Sequence, residues 1–202
     1  MKFRFIFTSS INTDEREVAY ISKIKNSISV IKDLPFEVYL VENNGLRETL
    51  LDQIEGVTLL YTGTNSIRSF ERKGMKEFHD LLLLADKYEF DDEDIIIKLT
   101  GLYTLSDATF LKSVVELESR YDAFIKWYDV VQGKYLYDDC CLGLYAIRYK
   151  YLKEFNYIKM LQHPSMEHVF AKYLREEVPA NRTLDVTYLG LLINRETHKQ
   201  HI

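Results

Sequence analysis

Four cations crowd the stretch Arg68-Ser-Phe-Glu-Arg72-Lys73-Gly74-Met-Lys76, where a helix is expected to begin. A helix amino terminus presents free N–H groups and the positive end of its dipole. Lys or Arg beside it makes a receptor for an anion such as a diphosphate. Asp138, Asp139 and Glu167 are the acids best placed to take a proton from a hydroxyl. Glu167 follows His163-Pro164-Ser165, so it also reads as a first-turn acid behind a Ser165 cap. Asp139 stands at the start of an apolar run. Other chemistries lack their residues. There is no Gly-x-Gly-x-x-Gly after the first strand, no Walker loop, no Gly-x-Ser-x-Gly elbow and no His-Glu-x-x-His. His198 and His201 are potential metal or phosphate ligands, but their place near the chain end argues for a frayed tail.

These groups need elements to hold them. Short apolar runs at 3–8, 36–41, 57–61 and 95–99 read as buried strands. Asn12-Thr-Asp-Glu15 resembles a capping box and opens a helix over 13–30, with Val18, Ile21, Ile24 and Ile28 on one face. Further helices are expected over 46–54 and 71–88. The alternation gives an α/β fold with a mainly parallel central sheet and helices on both faces. The second half is mixed. A helix from Asp107 to residue 119 is followed by strands over 123–131 and 135–147, with a hairpin at Gly133. Helices over 149–155 and 165–177 and a last strand over 189–193 complete it.

In open α/β sheets ligands bind beyond the carboxyl ends of the strands. That rule selects Thr8-Ser9-Ser10, Glu42-Asn43-Asn44, Gly63-Thr64-Asn65-Ser66 and Thr100-Gly101-Leu102-Tyr103. The whole chain of 202 residues suits one domain, a nucleotide-binding half over 1–105 and an acceptor-side half over 106–202. The net charge of -5, with no basic run, speaks against a nucleic-acid partner. No stretch approaches the ~20 apolar residues of a membrane span. Cys140 and Cys141 are neighbours that cannot readily bond each other, and a cytosolic protein is expected.

The order of elements resembles the nucleotide-diphospho-sugar glycosyltransferases of the GT-A fold, which are Rossmann-like. Lys73-Gly74-Met75-Lys76-Glu77 adds to the resemblance. So does Asp94-Ile-Ile-Ile-Lys98-Leu99-Thr100-Gly101-Leu102-Tyr103, which is similar to a Lys-x-Thr-Gly-Arg-Tyr stretch of small viral and bacterial members. Gly143-Leu-Tyr-Ala-Ile-Arg148 and Glu167 suit the acceptor-side half. The resemblance implies transfer of a sugar from a nucleoside-diphosphate donor, UDP first among carriers, to a glycan or other hydroxyl acceptor. It implies that Thr8, Ser9, Glu42, Asn43, Arg68, Lys73 and Gly74 hold the nucleotide. Thr100, Gly101 and Tyr103 would shape the sugar pocket, and Asp139 or Glu167 would be the base.

This chain departs from the pattern in two places. Leu102 replaces the Arg of the stretch. The Asp-x-Asp that holds Mn or Mg at the end of the fourth strand is Leu99-Thr100-Gly101 here. The Asp92-Glu93-Asp94 triplet lies at the other end of that strand, roughly 16–20 Å away, and reads as a solvated acidic turn. No metal ligand is therefore assigned, and Arg68, Arg72 and Lys73 are expected to neutralise the leaving diphosphate. The alternatives are a non-catalytic binding module on the same scaffold and another α/β transferase such as a methyltransferase.

Overall fold

A computed structural model describes the chain except residues 71, 130, 131, 164, 195–198 and 202. Expectations that fall on His198, and on the side chain of His201, lie outside the described residues.

Strand β1 (Phe3–Ser9) is buried along its whole length. Its alternate residues feed two cores. Phe3, Phe5 and Phe7 pack on one side of the sheet and Ile6 on the other. A strand apolar on both faces belongs inside a parallel sheet. Helix α1 (Asp14–Ile31) starts at Thr13, whose hydroxyl accepts from Arg16 N at 3.3 Å. Acids at Asp14, Glu15 and Glu17 suit its dipole. Next come β2 (Phe36–Glu42), β3 (Thr58–Tyr61) and α2 (Lys73–Lys87). They are followed by β4 (Ile95–Thr100), β5 (Thr104–Leu105) and α3 (Thr109–Leu117), whose first turn is held by Asp107 accepting from Thr109 N at 2.9 Å. The remainder is β6 (Ala123–Ile125), β7 (Leu144–Arg148), α4 (Tyr149–Glu154), α5 (Met166–Glu177), β8 (Thr183–Asp185), β9 (Leu191–Asn194) and β10 (Lys199–His201).

The main sheet has seven strands in the order β3-β2-β1-β4-β7-β6-β8. β7 alone runs against its neighbours β4 and β6, and the other pairings are parallel. A second sheet joins β10, β9 and β5. Helices α1 and α3 pack on the phenylalanine side of the main sheet, and α2 and α5 on the other. The order turns outward in both directions from β1 and β4, so the crevice for a ligand lies beyond Thr8 and Thr100.

Three expectations need correcting. The helix over 46–54 shrinks to a 3-10 turn, Leu50–Gln53, closed by a Thr49/Asp52 capping box. The residues before it are pinned along the strand ends instead, with Arg47 Nη2 on the Ile11 carbonyl at 2.7 Å and Gly45 at φ 82. The hairpin over 123–147 keeps only its ends, which pair antiparallel as Ala123 with Ile147 and Phe124 with Ala146. Its ends form β6 and β7, while one isolated bridge, Asp129 to Lys134, closes a turn around Gly133. Tyr135, Tyr137 and Asp138 are all exposed there, so no buried face holds a strand. Finally, Asp94 is not solvated. It is 1% exposed and accepts from Lys2 N at 2.6 Å and Arg4 Nε at 2.8 Å. Asp92 and Glu93 are exposed and pair with Lys153 and Lys150. The triplet thus latches the amino ends of β1 and β4.

Candidate functional site

At the opposite ends of β1 and β4 lies a cavity of about 950 Å3. Of the expected residues, Thr8, Ser9, Asn43, Lys73, Gly74, Thr100, Tyr103, Asp139 and Glu167 line it. Glu42, Arg68 and Gly101 do not.

One end is built from β1 and β2. Thr8 Oγ1 and Asn43 Oδ1 are buried and have no hydrogen-bond partner among the described residues. Such groups are costly unless something supplies the bond. Asn43 is clamped from behind by Asp80, which also accepts from Thr62 Oγ1 at 2.6 Å. Burial pushes the Asp80 carboxyl up, against the hydrogen bonds from Thr62, Thr64 and Asn43. Glu42 is fully buried behind this wall. It accepts from Ser9 Oγ at 2.7 Å, Ile11 N at 3.1 Å, Asn44 Nδ2 at 2.8 Å and Arg47 Nη2 at 3.2 Å. Its oxygens are spent on shaping the loop after β1, and its neighbour Asn43 faces the cavity.

The middle is cationic. α2 begins at Lys73, which is exposed and lines the cavity together with Lys76. Lys76 Nζ donates to Asn65 Oδ1 at 2.7 Å. A Cβ on Gly74 would collide with Met166, whose sulfur accepts from Gly74 N at 3.1 Å. The starts of α2 and α5 therefore meet on this wall, and both dipoles present their positive ends. Lys98 is 2% exposed. Its ammonium donates to Thr100 Oγ1 at 2.7 Å and to the Leu142 carbonyl at 2.8 Å, and pairs with Glu77. Arg16 of α1 lines the wall opposite. Arg68 stays exposed on the loop before α2, and Arg72 is the half-buried residue at the helix start.

Glycines allow the close approaches that shape the floor. Gly101 N donates to the Thr8 carbonyl at 2.9 Å, and a Cβ there would lie 2.8 Å from the Tyr20 ring. Gly101 thus seals the floor from behind while Thr100 faces in. The Cδ2–Cε2 edge of Tyr103 lies so close to Gly143 that any Cβ there would strike it.

The far wall carries acids. Asp139 and Asp129 are 6% and 8% exposed, and Glu167 is half-buried. Asp139 Oδ1 accepts from Cys140 N at 2.7 Å. Burial raises the Asp139 carboxyl, and the charges of Glu167 and Asp129 add to the rise. Asp138, the preceding residue, lines a separate groove.

The resemblance implies a divalent ion at the end of β4, and the residues present do not fit one. Leu99-Thr100-Gly101 offers a single hydroxyl, and that hydroxyl already accepts from the Lys98 ammonium. Among the described residues no three His, Cys, Asp or Glu converge. A fixed cation stands where hard oxygen ligands are required.

Sequence reasoning gave no role to Lys98, Arg16, Asp129 or Asp80. Lys98 carried a signal, the only charge within the apolar run Ile95–Leu99. Asp129 carried none, because its position depends on how the loop after β6 leaves the sheet.

No protein-family model and no curated protein matches the sequence. Solved structures do match in fold. The glycosyltransferase GlyE of Streptococcus pneumoniae TIGR4 is 12% identical, with a TM-score of 0.53 over 92% of this chain and 45% of that one. The mannosyltransferase PcManGT of Pyrobaculum calidifontis, solved with GDP-Man and Mn2+, is 12% identical, with a TM-score of 0.56 over 92% and 54%. A putative nucleotide-diphospho-sugar transferase of Desulfovibrio desulfuricans G20 is 9% identical, with a TM-score of 0.57 over 92% and 80%. The chain spans about half the length of the first two. At these identities the likeness is one of fold.

Proposed function

The chain has the GT-A fold of nucleotide-diphospho-sugar glycosyltransferases, and from that premise we propose that it transfers a sugar from a nucleoside-diphosphate donor to an acceptor hydroxyl without a divalent ion at β4. The observation that carries this reading is the order of groups along one cavity. Unpartnered acceptor and hydroxyl groups stand at one end, cations and two helix starts in the middle, and a raised carboxyl at the other. Asn43 Oδ1 accepts an imide N–H, which favours a uracil base, and Thr8 Oγ1 meets the base or ribose. The diphosphate lies against the starts of α2 and α5, with Lys73 and Lys76 beside it. Lys98 has all three protons committed, so it acts through its charge and by holding Thr100.

Asp139 takes the proton of the acceptor hydroxyl as its oxygen bonds to the anomeric carbon. The bond from that carbon to the diphosphate breaks, and the nucleoside diphosphate leaves with its charge met by the lysines. Glu167 and Asp129 keep the Asp139 carboxyl basic enough for this step.

Thermal unfolding with UDP-, GDP- and CMP-sugars, with manganese and with chelator, tests the reading. A donor at about 100 times its Kd stabilises by ~2.7 kcal/mol, and the shift should survive chelation. No shift with any nucleotide sinks the proposal, and a shift only with manganese sinks its metal-free form. The missing Asp-x-Asp favours one second reading, a binding module without turnover. It predicts the same shift, but no transfer, and no effect of Asp139→Asn on function.

A further inference from the structure

Beyond the acid wall, a stripe of α5 formed by His168, Ala171, Lys172, Arg175 and Glu176 faces Tyr137 and Asp138 across a groove of about 600 Å3. The spacing places these residues on one side of the helix. His168 lines both this groove and the main cavity, so the two join at the first turn of α5. From His168 to Glu176 the groove runs ~12 Å at the rise of a helix.

Arg175 dominates it. The guanidinium carbon lies 3.7 Å from the ring centres of both Trp127 and Tyr137. Nε donates to the Tyr137 carbonyl at 3.1 Å. Nη2 is buried and has no hydrogen-bond partner among the described residues. Trp127 is 4% exposed and backs the guanidinium, while Tyr137 is 65% exposed and lines the groove. A guanidinium held against two rings and the Tyr137 carbonyl is oriented in advance, and its charge suits the oxygens of a carboxylate or phosphate. The exposed tyrosine combines an apolar face with a polar tip, which suits the mixed faces of a sugar ring. Asp138 and Glu176 add acceptors for hydroxyls, with Lys172 3.8 Å from Glu176. Those two acids also repel a polyanion.

We propose that this groove holds an oligosaccharide chain carrying an acidic group, a carboxylate or a phosphate ester, with Arg175 as the receptor for that group. In the transferase reading, on which its role rests, this chain is the part of the acceptor behind the hydroxyl that receives the sugar. The acceptor is then an extended acidic glycan and not a free monosaccharide.

An array of defined neutral, uronate-bearing and phosphate-bearing oligosaccharides, with the corresponding monosaccharides and a nucleic-acid control, tests this on the full chain. Retention of acidic chains of two or more units is expected, and the uronate and phosphate arms tell the two sources apart. Retention falls about tenfold or more in Arg175→Met, the loss that goes with a charged hydrogen bond. Tyr137→Ala, at an exposed position, weakens it without threatening the fold. Retention of neutral glycans or monosaccharides alone, equal retention of nucleic acid, no retention, or an unchanged Arg175→Met overturns the proposal. A donor-induced thermal shift without glycan retention removes the groove and leaves the transferase. Acidic-glycan retention without any donor shift removes the transferase and leaves the groove.

Discussion

Asp139 carries most of the proposed chemistry, and its environment fixes how the rate should depend on pH. Burial raises its carboxyl above the usual range of about 4, with Glu167 and Asp129 adding to it. A base must be ionised, so transfer should climb as pH rises through that raised value. Asp139→Asn should lower kcat by about 10^2–10^4 and leave the donor-induced thermal shift in place. A pH profile of kcat/KM with these two measurements checks it, and a variant of unchanged rate would clear Asp139 of the role. Lys98 makes a second case. Lys98→Met leaves Glu77 without its cation, and loss of one partner from a fully buried pair costs ~3–5 kcal/mol. Glu77 keeps 27% of its side chain exposed, so about 1–3 kcal/mol by urea unfolding is expected, with Lys98→Met/Glu77→Gln recovering most of it. Lys98 could be seen in the sequence as a charge inside Ile95–Leu99. Glu42 and Arg68 lie off the cavity lining for different reasons. Glu42 ends β2 on the side that looks away from the cavity, and Arg68 sits a loop short of where α2 begins at Lys73.

Elements whose apolar pattern is long were plain in the sequence. β1, α1, β2, α2 and β4 all lie close to where periodicity puts them, and the strand-end rule then selects Thr8, Ser9, Asn43 and Thr100, which line the cavity. The second half was obscure because its strands are short and pair across distance. β6 is three residues long and meets β8, whose paired residue Thr183 lies opposite Ala123. Nothing local specifies such a partner. Gly143, just before β7, shows how tightly the elements close on the site. Gly143→Ala must displace Tyr103, since the new methyl and the ring claim the same space. We expect ~1–3 kcal/mol of destabilisation and a raised KM for the donor, because the ring moves into the cavity. Adding Tyr103→Ala should recover the stability but not the KM. Recovery of neither would mean the collision is not the cause.

The molecule as a whole is tied at the end remote from the cavity. Asp122 is buried there and joins three segments, accepting from Arg148 Nε of β7 at 2.6 Å and from Arg182 Nη2, just before β8, at 2.6 Å. Burial works against its charge, yet the hydrogen bonds from Arg182 and Arg148 hold the carboxyl low. A carboxyl depressed on folding contributes stability above its unfolded value of about 3.9, and that stability is lost as pH falls through the lower folded value. Asp122→Asn leaves Arg148 with Glu93 and Glu118 and Arg182 part-exposed, so it should destabilise by about 1–3 kcal/mol at pH 7, and the gap to the parent should close in strong acid. Urea unfolding at both pH values measures it, and a gap that persists in acid would refute the linkage.

Cys140 and Cys141 sit back to back, one in each core, each 1% exposed. Burial pushes both thiols up, Cys140 most strongly, so neither is a nucleophile in the closed protein. Cys140 is also bonded to the site, its Sγ donating to the Glu167 carbonyl at 3.4 Å. Cys140 can therefore serve as an internal clock. In a Cys141→Ser background a maleimide reaches Cys140 only when the segment carrying Asp139 lifts off α5, so the labelling rate counts those openings. A bound donor that fastens the two helix starts together should slow the count.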